Sequence, residues 1–236
     1  MRATLALVLV GLLMLACGDD SGTQPPSSPC TQCVITIGSS RDNTLYDEPT
    51  GSTSNGSGDN MFMGLNTQGL VRRALVHFDI YAFIPASATI DSARLELTVT
   101  SSSGGPQQAA LFRVTTDWGE GASNPLGPED DGTAATPGDA TWLNPFFPDS
   151  LWTNPGGDFK LSLSAVARVD GAFTQVFWPA TDSTTADIQL WLDDPSVNFG
   201  WLVAGNELTP GAVKSFATRE NIIPSRRPKL QVFYRR

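Results

Sequence analysis

The sequence predicts an all-β domain, a two-sheet antiparallel β-sandwich of the jelly-roll type with about ten strands and one short helix. Two observations lead to this prediction. Apolar and polar side chains alternate along many short segments between residues 34 and 236, which is typical of strands with one buried face. Clusters of Gly, Ser, Asn and Asp separate the segments, and numerous short strands must stack or close to protect their edges.

The alternation is clearest at 94–100, where three apolar side chains share one face and charged or hydroxyl side chains share the other. Turn-forming residues dominate three long stretches, 50–60, 101–106 and 119–139, which are predicted to be loops. Further strands are predicted at 34–39, 61–65, 70–80, 109–115, 161–169, 173–178, 199–205, 213–218 and 229–234.

One helix is predicted before Pro195, which ends it, and Asp182 or Ser183 can cap its start. The i, i+3, i+4 spacing of its apolar residues predicts one buried face. That face consists of Ile188, Trp191 and Leu192.

The charge balance limits the classes of partner. The net charge is −9, and no segment forms a basic stripe. Because nucleic-acid binding depends on Lys and Arg neutralising phosphates, nucleic acid is not an expected partner.

The N-terminus predicts export. A basic start precedes an apolar run at 3–15. This run is shorter than the roughly 20 residues that a membrane-spanning helix needs. Residues 1–16 are therefore predicted to be a signal peptide. The segment 14–17, Met-Leu-Ala-Cys, resembles the lipobox of bacterial lipoproteins, which implies lipid on Cys17 and anchoring at the cell envelope. Gly18 resembles the pattern for outer-membrane sorting where a cell has two membranes. The alternative is an ordinary secretory signal with Cys17 incidental.

Residues 17–33 are predicted to be a flexible tether, because no large apolar residue stands between Cys17 and Cys30. Cys30 and Cys33 close the tether, and a local disulfide is the favoured interpretation in an oxidising compartment. Zinc is not expected, since it needs four ligands and His77 is the only histidine. The domain proper is predicted to span 34–236.

Several segments carry a family resemblance. Asp-Asn-Thr-Leu-Tyr at 42–46, Arg-Ala-Leu-Val-His-Phe-Asp-Ile at 73–80 and Ile-Pro-Ala-Ser-Ala-Thr-Ile-Asp-Ser-Ala-Arg-Leu at 84–95 resemble the DNRLRE domain family. The resemblance implies an extracellular jelly-roll module similar to carbohydrate-binding modules, found on exported bacterial proteins, with some relatives binding acidic polysaccharide such as alginate. Further matching segments lie at 117–121, 199–201, 205–207, 216–220 and 227–232, so the resemblance covers nearly all of 39–234.

The domain is expected to stand alone, without the attached catalytic unit that the resemblance implies. Its negative charge disfavours a polyanionic ligand unless calcium or a basic patch mediates contact. Jelly-roll carbohydrate modules commonly hold a structural calcium, and calcium prefers clustered oxygens. The candidate basic residues are Arg72, Arg73, Arg219, Arg226 and Arg227, and the candidate calcium ligands are Asp42, Asp59, Asp79, Glu120, Glu207 and Glu220.

Tryptophans can stack on sugars where their ring faces are exposed. Trp118, Trp142 and Trp152 lie in or beside predicted loops and are the ligand-binding candidates, whereas Trp191 and Trp201 fit apolar faces and are predicted to be core.

No catalytic apparatus is evident. His77 would have to serve any Ser-His-Asp relay, yet no nucleophile-elbow string occurs. Loop carboxylates could suggest glycoside hydrolysis, but acidic residues in such loops are usually solvated. They are Asp117, Glu120, Glu129, Asp130 and Asp131.

The sequence therefore predicts a lipid-anchored, non-catalytic envelope protein whose β-sandwich binds polysaccharide or contributes to adhesion. The alternative is a structural or scaffold protein of the envelope whose partner is another protein.

Overall fold

The computed structural model describes residues 29–236, and it is mostly β, with 39% strand and 10% helix. The prediction of a largely antiparallel β protein with one α-helix is confirmed, and every predicted strand position carries a strand. The strands are β1 (Cys33–Gly38), β2 (Arg41–Tyr46), β3 (Thr53–Ser54), β4 (Asn60–Leu65), β5 (Val71–His77), β6 (Thr89–Ser102), β7 (Gln107–Val114), β8 (Thr133–Ala134), β9 (Phe159–Val169), β10 (Gln175–Trp178), β11 (Trp201–Ala204), β12 (Lys214–Ala217) and β13 (Lys229–Arg235), and the helix is α1 (Asp182–Asp193).

Eleven strands form one antiparallel sheet that curls into a half-barrel. Its main path runs β1-β13-β6-β12-β4-β5-β11-β7-β9, with β10 beside β6 and β2 beside β5. β3 and β8 form a separate two-stranded sheet. Because the sheet curls, its concave face surrounds an interior space. The side chains on that face fill this space.

The two halves of the curled sheet share one core. Trp178 of β10 is fully buried, and its indole Nε1 donates to the carbonyl of Ala109 in β7 at 2.9 Å. Its ring packs edge-on against Phe216 of β12, with ring centroids 5.9 Å apart. A side chain from β10, beside β6, thus reaches across the interior to the backbone of β7 near the other end of the strand path.

Helix α1 covers part of this core with the predicted face, because Ile188, Trp191 and Leu192 are all buried. The predicted caps were wrong: Thr181 is the N-cap, and it exchanges hydrogen bonds with Thr184 in a capping box. Asp182 and Ser183 lie inside the first turn instead.

A second, smaller apolar cluster lies on the convex face of the sheet. Leu45, Leu75 and Leu202 form it from the strands, and Trp118 and Trp152 pack over them. Both tryptophans belong to residues 115–158, the segment between β7 and β9, which we call the cover segment. A part of the chain that was predicted to be a loop is therefore packed onto the sheet.

Candidate functional site

Three of the six carboxylates nominated as calcium ligands lie together. Asp42 is in β2, Glu120 is in the cover segment, and Glu220 follows β12. One oxygen of each lies within 4.8 Å of the others. We call these three residues the carboxylate cluster. Its oxygens are of the type that hard divalent cations prefer.

Close backbone contacts fix Glu120. A side chain on Gly56 would collide with the Glu120 carbonyl, and Gly121 has a φ of 71° and lies against the carboxylate of Asp139. The Glu120 carbonyl also accepts a hydrogen bond from the amide of Asn43 at 2.9 Å. Glycines at these two positions let the cover segment approach β2 closely, which brings Glu120 to Asp42.

Arg219 is the cation that contacts the cluster. Its Nε donates to Glu120 Oε1 at 2.7 Å and lies 2.9 Å from Glu220 Oε1, while Nη2 donates to Glu120 Oε2. Glu120 Oε1 also accepts from the backbone amide of Asp42 at 2.8 Å. Asp42 Oδ2 accepts from the Arg219 amide at 3.0 Å and from Ser39 Oγ at 3.2 Å.

Burial and mutual repulsion act on these carboxyl groups. Burial raises the pKa of Asp42 well above its usual range, and the charges of Glu220 and Glu120 add to this. Burial, followed by the charge of Glu120, raises the pKa of Glu220 to about 7, although Arg219 acts in the opposite direction. When all three carboxylates are ionised, their charge exceeds what Arg219 compensates, which favours protonation of Asp42 and Glu220.

The other three nominated carboxylates lie outside the cluster. The exposed Asp79 accepts from the backbone amide of Ala82, and Glu207 pairs with Arg73 at 2.8 Å. Asp59 contributes only its backbone nearby, where its carbonyl accepts from the Thr218 amide at 3.1 Å. These three residues are not part of the set that could share one cation.

The five candidate arginines all make contacts within the protein, and only Arg73 and Arg219 of them pair with carboxylates of residues 29–236. Arg72 is 3% exposed and stacks on the ring of Tyr46. Arg73 makes a bidentate ion pair with Glu207, and Arg219 pairs with two members of the carboxylate cluster. Arg226 lies over the ring of Phe173, and Arg227 donates to the carbonyl of Asn221.

Two of the three candidate tryptophans cannot stack on a ligand. Trp118 is 0% exposed and donates to the Phe199 carbonyl, and Trp152 is 5% exposed and donates to the Thr141 carbonyl. The prediction that they present ring faces to a sugar was wrong, because the cover segment turns both onto the sheet. Trp142 is half-buried beneath the guanidinium of Arg73.

An apolar cleft of about 400 Å³ lies beside this arginine. The rings of Phe112 and Phe159 line it, with centroids 5.2 Å apart, and both are half-buried. The ion pair of Arg73 and Glu207 stands at its edge. Its remaining lining includes Gln108, Ala110, Ala204, Asn206 and Leu208.

A larger cleft of about 490 Å³ has a polar lining that includes Asn60, Thr100 and Ser215. The Thr100 hydroxyl already donates to Asn60 Oδ1 at 2.6 Å and contacts Ser215 Oγ at 2.8 Å. These polar groups satisfy one another, and Phe62 in this lining is buried. The apolar cleft therefore offers the better aromatic surface for a ligand.

His77 contacts a serine that the sequence did not suggest. Ser40 Oγ lies 2.5 Å from His77 Nδ1, and His77 Nε2 lies 3.1 Å from the carbonyl of Asn198. Burial, followed by the charge of Arg41, lowers the pKa of His77 to about 4. Within residues 29–236, no carboxylate is hydrogen-bonded to this ring, so the third member of a Ser-His-Asp relay is not in place.

At the start of the described chain, Cys30 and Cys33 form a disulfide, with Cα atoms 5.8 Å apart. Cys30 and Arg236 exchange two backbone hydrogen bonds, which attaches this turn to the end of β13.

The predicted signal peptide and Cys17 lie outside the described residues. From residue 29 onward, no helix has the length and apolar character to cross a membrane. No family model matches the chain, and no curated protein matches it.

Proposed function

We propose that this protein is a non-catalytic carbohydrate-binding or adhesive domain, exported and held at the cell envelope by lipid on Cys17. The resemblance to the DNRLRE family and to the lipobox supports the location and the class of ligand. The observation that carries the binding proposal is the apolar cleft, where two half-exposed aromatic rings stand beside hydrogen-bonding side chains.

The chemistry of the cleft suits a neutral sugar chain. Sugar rings have apolar faces that pack on aromatic side chains and hydroxyls that need hydrogen-bond partners. Phe112 and Phe159 supply the first requirement, and the exposed side chain of Gln108 supplies the second. Because Glu207 neutralises Arg73, the cleft carries no free positive charge for an acidic polysaccharide, and the protein's net charge of −9 also disfavours one.

We also propose that the curled sheet corresponds to the predicted two-sheet jelly-roll sandwich. Its halves would be the strands around β6 and the strands around β5, with the shared core between them. The contact of Trp178 with Ala109 and Phe216 supports this interpretation.

Replacing Phe159 with alanine is expected to weaken binding to a neutral polysaccharide at least about fivefold, since stacking on an aromatic ring contributes on the order of 1–3 kcal/mol. Affinity electrophoresis in gels containing neutral or acidic polysaccharides measures the retardation of each variant. Wild-type protein is expected to be retarded by a neutral polymer.

The matched control is Phe177→Ala. Phe177 lies under Arg94 with a separation of 5.2 Å, much as Phe159 lies under Arg73 at 5.5 Å, but it belongs to β10 and does not line the cleft. This variant should bind like wild type. Equal loss of binding in both variants, or no retardation of wild type by any polymer, would contradict the proposed cleft.

The edge of the sheet favours a second candidate function, the binding of another protein. β9 ends the main strand path, and its Leu161 and Leu163 are 85% and 47% exposed. An exposed apolar edge strand can pair with a strand of a partner. Capture of one envelope protein that is lost in Leu161→Asp, with no retardation on any glycan, would favour this function.

Cys17→Ser is expected to move the protein from the membrane fraction to the soluble fraction. Each buried CH₂ of an acyl chain contributes about 0.8 kcal/mol to membrane attachment, and the variant has no thiol at the predicted site of lipidation. Fractionation followed by a carbonate wash measures the distribution, with Cys33→Ser as a control that should stay with the membranes. A Cys17→Ser protein that still pelleted would contradict the anchor.

A further inference from the structure

We infer that the carboxylate cluster is a binding site for one calcium ion, with Asp42 and Glu220 as its direct protein ligands and Glu120 as the residue that holds Arg219 beside it. The site shares no residue with the apolar cleft, so it stands independently of the proposed glycan binding.

Two carboxylate oxygens of the cluster are buried without a hydrogen-bond partner among residues 29–236. They are Asp42 Oδ1 and Glu220 Oε2. Asp42 is 1% exposed as a residue, so this oxygen cannot be satisfied by turning into solvent. A buried carboxylate oxygen without a partner is costly, and a bound cation is one of the few groups that compensates it.

The charges of the cluster leave room for a divalent ion. Asp42, Glu120 and Glu220 carry three negative charges when ionised, and among the described residues Arg219 alone makes ion pairs with them. Both oxygens of Glu120 accept from Arg219, so this residue is occupied, whereas Asp42 and Glu220 each keep one oxygen free. One cation of charge +2 would balance the remainder.

The cluster suits calcium better than magnesium, because calcium accepts oxygen ligands in flexible geometry whereas magnesium needs a near-ideal octahedron. One oxygen of each carboxylate lies within 4.8 Å of the others, close enough for one ion to contact them. The Glu220 side chain is 20% exposed, so water can reach the cluster and complete the coordination shell.

The consequence of binding would be structural. Asp42 lies in β2, Glu120 in the cover segment and Glu220 after β12, so neutralising the cluster favours the contact of these three segments. Binding to the folded state alone raises the stability of a protein in proportion to the logarithm of the ligand concentration.

The experiment is calcium binding by the full chain carrying Cys17→Ser, after treatment with EDTA and dialysis. Calorimetric titration with CaCl₂ is expected to give one ion per chain, and the Tm in a hundredfold excess over the Kd should rise by about 5 °C. Magnesium chloride should bind at least tenfold more weakly, and equal affinity would overturn the assignment to calcium.

Calcium binding is expected to weaken at least tenfold in Asp42→Asn and in Glu220→Gln. The control is Asp79→Asn, which changes an exposed carboxylate outside the cluster and should bind calcium like wild type. In EDTA, Asp42→Asn should melt no lower than wild type, because it removes a buried charge. If it fails to fold, Glu220→Gln at the more exposed position carries the comparison. A wild-type protein that binds no calcium, or variants that bind as tightly as wild type, would overturn the site.

Discussion

Replacing Trp178 with alanine is expected to lower the free energy of unfolding by about 4 kcal/mol, within the range for removing a large aromatic side chain from a core. The side chain is completely buried, and it spans the interior from β10 to the carbonyl of Ala109 in β7. Alanine removes that hydrogen bond and the edge-on packing against Phe216, and it leaves a cavity between the two halves of the sheet. Urea denaturation followed by circular dichroism measures the loss.

The neighbouring residue provides the control. Phe177 alternates with Trp178 along β10, and it lies on the opposite face, 43% exposed. Phe177→Ala should cost no more than about 1 kcal/mol, mainly through its contact with the Arg94 guanidinium. If both variants lost equal stability, the two halves would not share the core that this tryptophan fills.

The strand positions could be predicted from sequence because most strands alternate between the apolar core and a polar surface. In β6, Leu95 and Leu97 are buried while Arg94 and Glu96 are less so, as the pattern requires. β2 was not predicted because it lacks this alternation between apolar and polar side chains. Asp42, Asn43 and Thr44 are all buried, so their polar character hides the strand from any test based on alternation.

The buried polar residues of β2 have partners that only the fold reveals. Asn43 Oδ1 accepts from the backbone amide of Thr44 and from Ser54 Oγ, while its amide nitrogen donates to the Glu120 carbonyl. Such contacts join residues far apart in the chain. Sequence could nominate six carboxylates as calcium ligands, but it could not select the three that converge, because their convergence depends on how the cover segment packs.

The same segment explains the error about the tryptophans. A polar, glycine-rich composition predicts a solvated loop, and this prediction makes the aromatic residues beside the loop candidates for ligand contact. Residues 115–158 instead bury Trp118 and Trp152 against leucines on the convex face of the sheet. The aromatic residues that line the apolar cleft, Phe112 and Phe159, were not nominated because they lie in predicted strands.

Asp187→Ala is expected to lower the free energy of unfolding by about 3 kcal/mol, because it leaves several hydrogen-bond donors inside the protein without their acceptor. Asp187 Oδ2 accepts from the indole Nε1 of Trp201 at 2.9 Å and from Ser164 Oγ at 2.5 Å, and its Oδ1 lies 2.9 Å from Arg113 Nε. These partners belong to β11, β9 and β7, so one carboxylate connects α1 to three strands. Thermal and urea unfolding measure the change.

Asp187→Asn separates the charge from the geometry of this connection. The amide oxygen can still accept from Trp201, while the ion pair with Arg113 is lost, so the loss should fall between those of wild type and alanine, at about 1–2 kcal/mol. Asp193→Ala on the exposed side of α1 removes only the contact with Gln189 and should change stability by no more than about 0.5 kcal/mol. An alanine variant at 187 that unfolded like the one at 193 would mean that the strands hold α1 by apolar packing alone, and that Arg113 and Trp201 find solvent or other partners without cost.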